Sequence, residues 1–100
     1  MIVLGIDPVT ATVGYSFVSG TKQQPTVHES GVIRTLSTFK DLDGYRLLEV
    51  GRDLEGLIRK YRPQKAVVED LFFFKNQKTI ISVAQSRGVI LYLLAASGLQ

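Results

Sequence analysis

The stretch Ile2-Val-Leu-Gly-Ile-Asp-Pro-Val-Thr-Ala-Thr-Val-Gly-Tyr-Ser-Phe-Val18 constrains this chain more than any other. An apolar run ends in a single carboxylate, Asp7. A turn containing Pro8, Thr10 and Thr12 follows, and Gly14 opens a second apolar run. The pattern is that of a buried strand, a tight turn and an antiparallel return strand. Asp7 therefore falls at the carboxyl end of a core strand. A lone acid is costly to bury, so it needs a partner, and a cation is a common one. Ala66-Val-Val-Glu-Asp70 repeats the pattern with Glu69. Two acids at the ends of two buried strands point to a divalent-metal site.

Further along, Ile2 to Ile6, Val13 to Val18 and Val27 to Arg34 read as three strands in close succession, an antiparallel meander. On the third, Val27, Glu29, Gly31 and Ile33 share one face. A helix follows, with Leu47, Val50, Leu54, Leu57, Ile58 and Tyr61 at three- and four-residue spacing. Arg46, Glu49, Arg52, Asp53, Arg59 and Lys60 fill its other face, a pattern normally left to solvent. Gly44, Gly51 and Gly56 each weaken the helix by up to ~1 kcal/mol relative to Ala, so one of them is expected at a close helix contact. Pro63 ends it.

Ala66 to Asp70 is then a fourth strand, parallel to the first because a helical crossover reaches it. A last helix runs from about Lys78 to Ala96, with Gly98 as its C-cap. From Gly88 on it is apolar nearly all round, so its non-sheet face, to which Leu93 is assigned, needs a covering partner, a second subunit.

One hundred residues make a single domain, 1–100. Twelve Lys and Arg against nine Asp and Glu give a net charge of +3, compatible with a polyanionic partner. The absence of Cys excludes disulfides, thiolate metal sites and a Cys nucleophile. Asp7 interrupts the N-terminal apolar run too early for a secretory signal, and Gly88 to Ala96 is far short of the ~20 residues that span a bilayer. The expected location is the cytoplasm, with no membrane.

Individual residues have competing roles. Asp7 serves either as metal ligand or as turn cap. Of Glu69 and Asp70, strand alternation sends one inward and the other outward without saying which. Phe72 to Phe74 are core residues or a base-stacking platform. Asn76 suits a helix N-cap or loop. Arg87 interrupts an apolar helix, so it is paired or at an interface. His28 is structural.

Three blocks carry a resemblance across the whole chain: Leu4-Gly-Ile-Asp-Pro8 with Gly14-Tyr15; Val67-Val-Glu-Asp-Leu-Phe-Phe-Phe-Lys-Asn76; and Ala84-Gln-Ser-Arg-Gly88. Together they resemble the RuvC family of Holliday-junction resolvases. The resemblance implies an α/β, ribonuclease-H-like fold with a mixed sheet, in the order β-β-β-α-β-α. The family pattern continues with a further strand and helix, so the chain is expected to be its N-terminal portion.

The implied activity is metal-dependent endonucleolytic hydrolysis of phosphodiester bonds, cutting four-way DNA junctions symmetrically in recombination and repair. Mg²⁺ is the implied cofactor, with Mn²⁺ as substitute. The family register selects Glu69 over Asp70, making Asp7 and Glu69 the catalytic metal ligands. Phe72, Lys75 and Asn76 become DNA-binding residues, Phe72 matching the family's aromatic near the junction crossover. The implied partners are junction DNA, a second copy of the chain through the last helix, and branch-migration proteins of the RuvAB type.

Two departures stand out. Val9 occupies a position where the family has Gly, so either the turn needs no positive φ or its loop is altered. The family's C-terminal pair of acids has no counterpart in these residues, so they are expected to be inactive alone. Two other readings compete. One is a non-catalytic DNA-binding or dimerisation fragment of the same fold. The other, an actin-like or sugar-kinase ATP-binding lobe, also opens with Gly-Ile-Asp but wants a Gly/Thr-rich phosphate loop, which Val9 and Ala11 interrupt.

Overall fold

The computed structural model describes residues 1–9, 12–34, 43–69 and 77–99. Strands β1 (Val3–Val9), β2 (Thr12–Gly20) and β3 (Pro25–Arg34) form the meander, α1 (Asp43–Tyr61) crosses over, β4 (Lys65–Val68) returns, and α2 (Gln77–Ala96) closes the order. The sheet order is β3-β2-β1-β4. β1 pairs antiparallel with β2 and parallel with β4. The mixed sheet, the crossover and the element order are those expected from the sequence. β4 ends at Val68, before the expected Asp70, although the Glu69 amide still donates to the Ile6 carbonyl at 3.0 Å.

Alternation along β1 and β2 sends Leu4, Ile6, Val13 and Phe17 to one face of the sheet, where they meet Val50, Leu54 and Ile58 of α1 and Ile90, Leu93 and Leu94 of α2. At roughly 1.5–3 kcal/mol for each fully buried large apolar side chain, this one-sided layer is the main stabilising contribution. Leu93 belongs to it, contrary to the sequence expectation. Among the described residues, the large apolar side chains that α2 turns outward are Ile81, Leu91 and Tyr92.

Each helix end has a defined stop. Arg62 takes a left-handed φ of 48° and its amide donates to Ile58 O at 2.8 Å, after which Pro63 bars continuation. At the end of α2, Gly98 has φ 79° and the Leu99 amide donates to Leu94 O at 2.8 Å, so the expected glycine C-cap is present. Of the three α1 glycines, only Gly51 faces a neighbour among the described residues: a Cβ there would lie 3.4 Å from Val89 Cγ1 of α2.

Two expectations need correction. A bulge between Phe17 and Val18 shifts the β2–β3 register, so that Phe17 opposes Glu29 while Val18 opposes Val27. The extra residue, His28, turns Val27 to the other face, and Val27 is exposed. Arg46 is not on a solvated face: it is buried against α2. Its Nη1 donates to Ser86 Oγ at 2.9 Å and its Nη2 to Gln85 Oε1 at 3.3 Å. His28 has the structural role expected, with its Nε2 2.7 Å from Ser19 Oγ.

Glu29, on the helix-facing side of β3, ties three elements together. Its carboxylate accepts from Tyr15 Oη at 2.6 Å and from Tyr61 Oη at 2.5 Å, and Lys60 Nζ lies 3.7 Å away. Gly31 makes room for this arrangement, since a Cβ there would stand 2.9 Å from Tyr15 Oη. The hydrogen bonds from the Tyr15 and Tyr61 hydroxyls hold the Glu29 carboxyl below its usual range. The bond to Glu29, then burial, pushes the Tyr15 phenol from 10.0 up to about 12.

The signs follow from linkage. The Tyr15 contribution is complete below pH 10.0 and is lost as pH rises through about 12. The Glu29 contribution is complete above the ordinary value of 4.5 and is lost as pH falls through its lowered pKa. Denaturant midpoints followed from acid to alkali should therefore fall at both ends. Tyr15→Phe should flatten the alkaline fall and Glu29→Gln the acid one.

Candidate metal centre

Asp7 is the last β1 residue but two, and it lies opposite Gly14 of β2. The parallel register pairs Ile6 with Val68, so the next residue on each chain, Asp7 and Glu69, arrives at the same end of the sheet. Both point away from the helix-covered face, because Leu4, Ile6 and Pro8 take the other alternation of β1, and Ala66 and Val68 that of β4. Both carboxylates are exposed.

They are close enough to share a hydrogen bond. The negative charge of Asp7, followed by that hydrogen bond, pushes the Glu69 carboxyl above its ordinary value. Two acids this close resist carrying two charges at once unless something positive joins them.

The surrounding surface is small and open. A shallow depression of about 690 Å³ on the uncovered face of the sheet is lined by Gly5, Asp7, Gly14, Ser16, Ser30 and Glu69. Exposed Val32 and Val67 line it as well, and between them the glycines and serines allow close approach to the backbone. Ser16 and Ser30 were not singled out from the sequence, although their alternation with Tyr15 and Glu29 puts them on this face.

The structure thus unites Asp7 with Glu69. Asp70, Phe72, Lys75 and Asn76 lie outside the described residues, as do Thr10 and Ala11 of the turn. Among the described residues no cluster of three or more His, Asp or Glu gathers. Two hard oxygen donors held side by side, with the Glu69 carboxyl pushed above its ordinary value by the Asp7 charge, suit part of the coordination shell of a hard divalent cation. Water or substrate oxygen can take the remaining positions.

A parallel β1–β4 pair with an acid at each strand end, a meander beside it and helices across one face is the ribonuclease-H-like arrangement. Within that class, the sequence profile of the family described as "Crossover junction endodeoxyribonuclease RuvC" matches residues 3–100. The chain belongs to the RuvC family.

The Fusobacterium nucleatum crossover junction endodeoxyribonuclease RuvC is 47% identical over 92 residues, covering 91% of this chain and 47% of its own length. The protein of the same name from Prochlorococcus marinus strain MIT 9303 is 44% identical over 95 residues, covering 95% and 60%. The chain thus spans about half to three-fifths of these relatives. Thermus thermophilus RuvC, solved in complex with a Holliday junction substrate, superposes with a TM-score of 0.87 at 20% identity, over 99% of this chain and 62% of the other. A looser likeness, TM-score 0.55 at 16% identity, is to the Aquifex aeolicus PPX-GPPA enzyme, over 99% of this chain and 34% of that one. At such identities these structural matches speak to the fold alone.

The coupling of the two acids has a direct consequence. Asp7→Asn should bring the Glu69 pKa back towards its ordinary value. Glu69, being raised, contributes stability that is present below 4.5 and lost as pH rises through its folded pKa. The mutant should lack that loss and be as stable as the parent, or more so, at neutral pH without metal. Carboxyl carbon NMR titration of Glu69, with melts at the same pH values, measures both. A turn cap would behave oppositely, its loss costing roughly 0.5–2 kcal/mol.

Proposed function

We propose that this chain forms the strand-borne half of the active site of a metal-dependent endonuclease that resolves four-way DNA junctions. The observation that carries the reading is the juxtaposition of Asp7 and Glu69 at adjacent ends of β1 and β4, in a chain of the RuvC family. A divalent cation bound there, Mg²⁺ or in its place Mn²⁺, would activate water and offset the charge that builds on the phosphate during hydrolysis.

The chain's own residues do the rest. Asp7 and Glu69 present carboxylate oxygens from a hydrogen-bonded sheet, so the backbone that carries them is set before any ligand arrives. The raised Glu69 pKa makes cation binding compete with a proton, and affinity should fall as the medium is acidified. The glycines and serines beside them, set between exposed Val32 and Val67, leave room for a phosphodiester backbone to come close. Phe72, Lys75 and Asn76, which follow Glu69 in sequence, are proposed to meet the DNA: Phe72 by stacking on a base, Lys75 and Asn76 by polar contact.

The proposed partners are junction DNA, branch-migration proteins of the RuvAB type and a second copy of the chain. No helix among the described residues is long and apolar enough to cross a membrane, and a cytoplasmic location is proposed. For the second copy, the support is the outward row of Ile81, Leu91 and Tyr92, with Tyr92 76% exposed.

Two measurements test these readings. These residues by themselves, mixed with a synthetic four-way junction and Mg²⁺, should leave it uncut, whereas a longer chain that joins them to the family's C-terminal pair of acids should nick it in symmetric pairs. Asp7→Asn and Glu69→Gln should each lower the rate by roughly a hundredfold or more while junction binding persists. Cleavage that survives both substitutions would remove the nuclease assignment from this site. Light scattering should report a dimer, and Leu91→Lys should shift it to monomer without lowering the melting temperature. A parent that remains monomeric at high micromolar concentration contradicts the interface.

A further inference from the structure

Nothing in its apolar pattern tells α2 which side to turn to the sheet. Among the described residues its buried positions are Val83, Ser86, Ile90, Leu93 and Leu94. Its outward positions, Ile81, Ala84, Gly88, Leu91 and Tyr92, keep the same three- and four-residue spacing and are also apolar. Hydrophobic burial is non-directional and follows area. Rotation of the helix by about half a turn therefore exchanges one apolar row for another.

One residue breaks the equivalence. Ser86 is polar yet only 1% exposed, in the middle of the buried row. Its Oγ accepts from Arg46 Nη1 at 2.9 Å, while Arg46 Nη2 donates to Gln85 Oε1 at 3.3 Å and Ser82 O at 3.5 Å. Arg46 is itself 7% exposed. Rotating α2 carries Ser86 away and brings Ala84 or Gly88 to the guanidinium at that level, and neither has a side-chain acceptor. Removing acceptors from a buried charge is strongly unfavourable, and this adds to the difference between the two apolar rows, the buried one holding Val83, Ile90, Leu93 and Leu94 and the outward one Ile81, Leu91 and Tyr92. A single polar contact can thus select one packing from several that hydrophobic burial leaves open, as a buried polar residue does in coiled coils.

We propose that Arg46 is a positioning residue whose bonds to Ser86 and its neighbours fix the rotation of α2, and so decide that the Leu91–Tyr92 side faces outward. The proposal is independent of the nuclease reading, because it concerns helix orientation and is measured without DNA or metal.

The lack of native Cys makes the test direct. Single thiols at Val83→Cys (buried) and Ala84→Cys (exposed) report the orientation of α2, and Val13→Cys on β2 reports the integrity of the sheet. Their rates with a small disulfide reagent are compared with those of the urea-unfolded chain at low micromolar protein. With Arg46 in place, Val83→Cys should be slow and Ala84→Cys fast. Adding Arg46→Met should speed Val83→Cys by about tenfold or more and slow Ala84→Cys, with Val13→Cys unchanged. Arg46→Lys should recover part of the protection. Ser86→Ala, which removes the acceptor and keeps the charge, should move the same two thiols in the same directions, and it decides the matter if Arg46→Met does not fold. Rates at Val83→Cys and Ala84→Cys that stay within about twofold would overturn the proposal. So would a parallel rise at Val83→Cys and Val13→Cys, which is general loosening.

Discussion

The parallel pairing of β1 with β4 is the contact on which the rest of the molecule depends. It sets Ile6 beside Val68, extends through the Glu69 amide to the Ile6 carbonyl, and so brings two acids from distant parts of the sequence to one edge. Parallel strands cannot be joined by a tight turn, so the pairing requires a crossover, which α1 supplies. The crossover in turn covers one face of the sheet. The acids lie on the other face because alternation gives Leu4, Ile6, Ala66 and Val68 to the core. Fold and site are thus two consequences of one register.

Polar side chains refine what apolar burial leaves loose. Glu29 gathers hydroxyls from β2 and from the last turn of α1, anchoring the far end of the crossover helix to the sheet. Arg46 reaches from the first turns of α1 to the middle of α2. These contacts lie at opposite ends of α1, one to the sheet and one to the neighbouring helix. The repulsion between Asp7 and Glu69 is of another kind. It raises the Glu69 pKa and, once both groups are charged, works against the fold in the absence of a counter-charge.

Most of the architecture was legible in the sequence. Strand alternation and the helical spacing of Val50, Leu54 and Ile58 are local patterns, and a local pattern survives into the fold when the core is one-sided. The acid at the end of each strand was legible for the same reason, since an apolar run that stops at a carboxylate shows where the chain leaves the core. Preference for Glu69 over Asp70 came from family resemblance alone; Glu69 lies beside Asp7, and Asp70, Phe72, Lys75 and Asn76 lie outside the described residues.

The sequence by itself determined the elements, their order and the two strand-end acids, because each depends on neighbours along the chain. Tertiary structure alone decided the bulge that turns Val27 outward, the burial of Leu93 and the passage of Arg46 from an apparently solvated face into a contact between helices. Strand register depends on a partner strand, and a helix that is apolar all round carries no local signal of its inward side. An arginine among charged neighbours on a helix also looks the same whether it meets water or a serine on the next helix. In each case the deciding group lies on another element, and only folding brings it near.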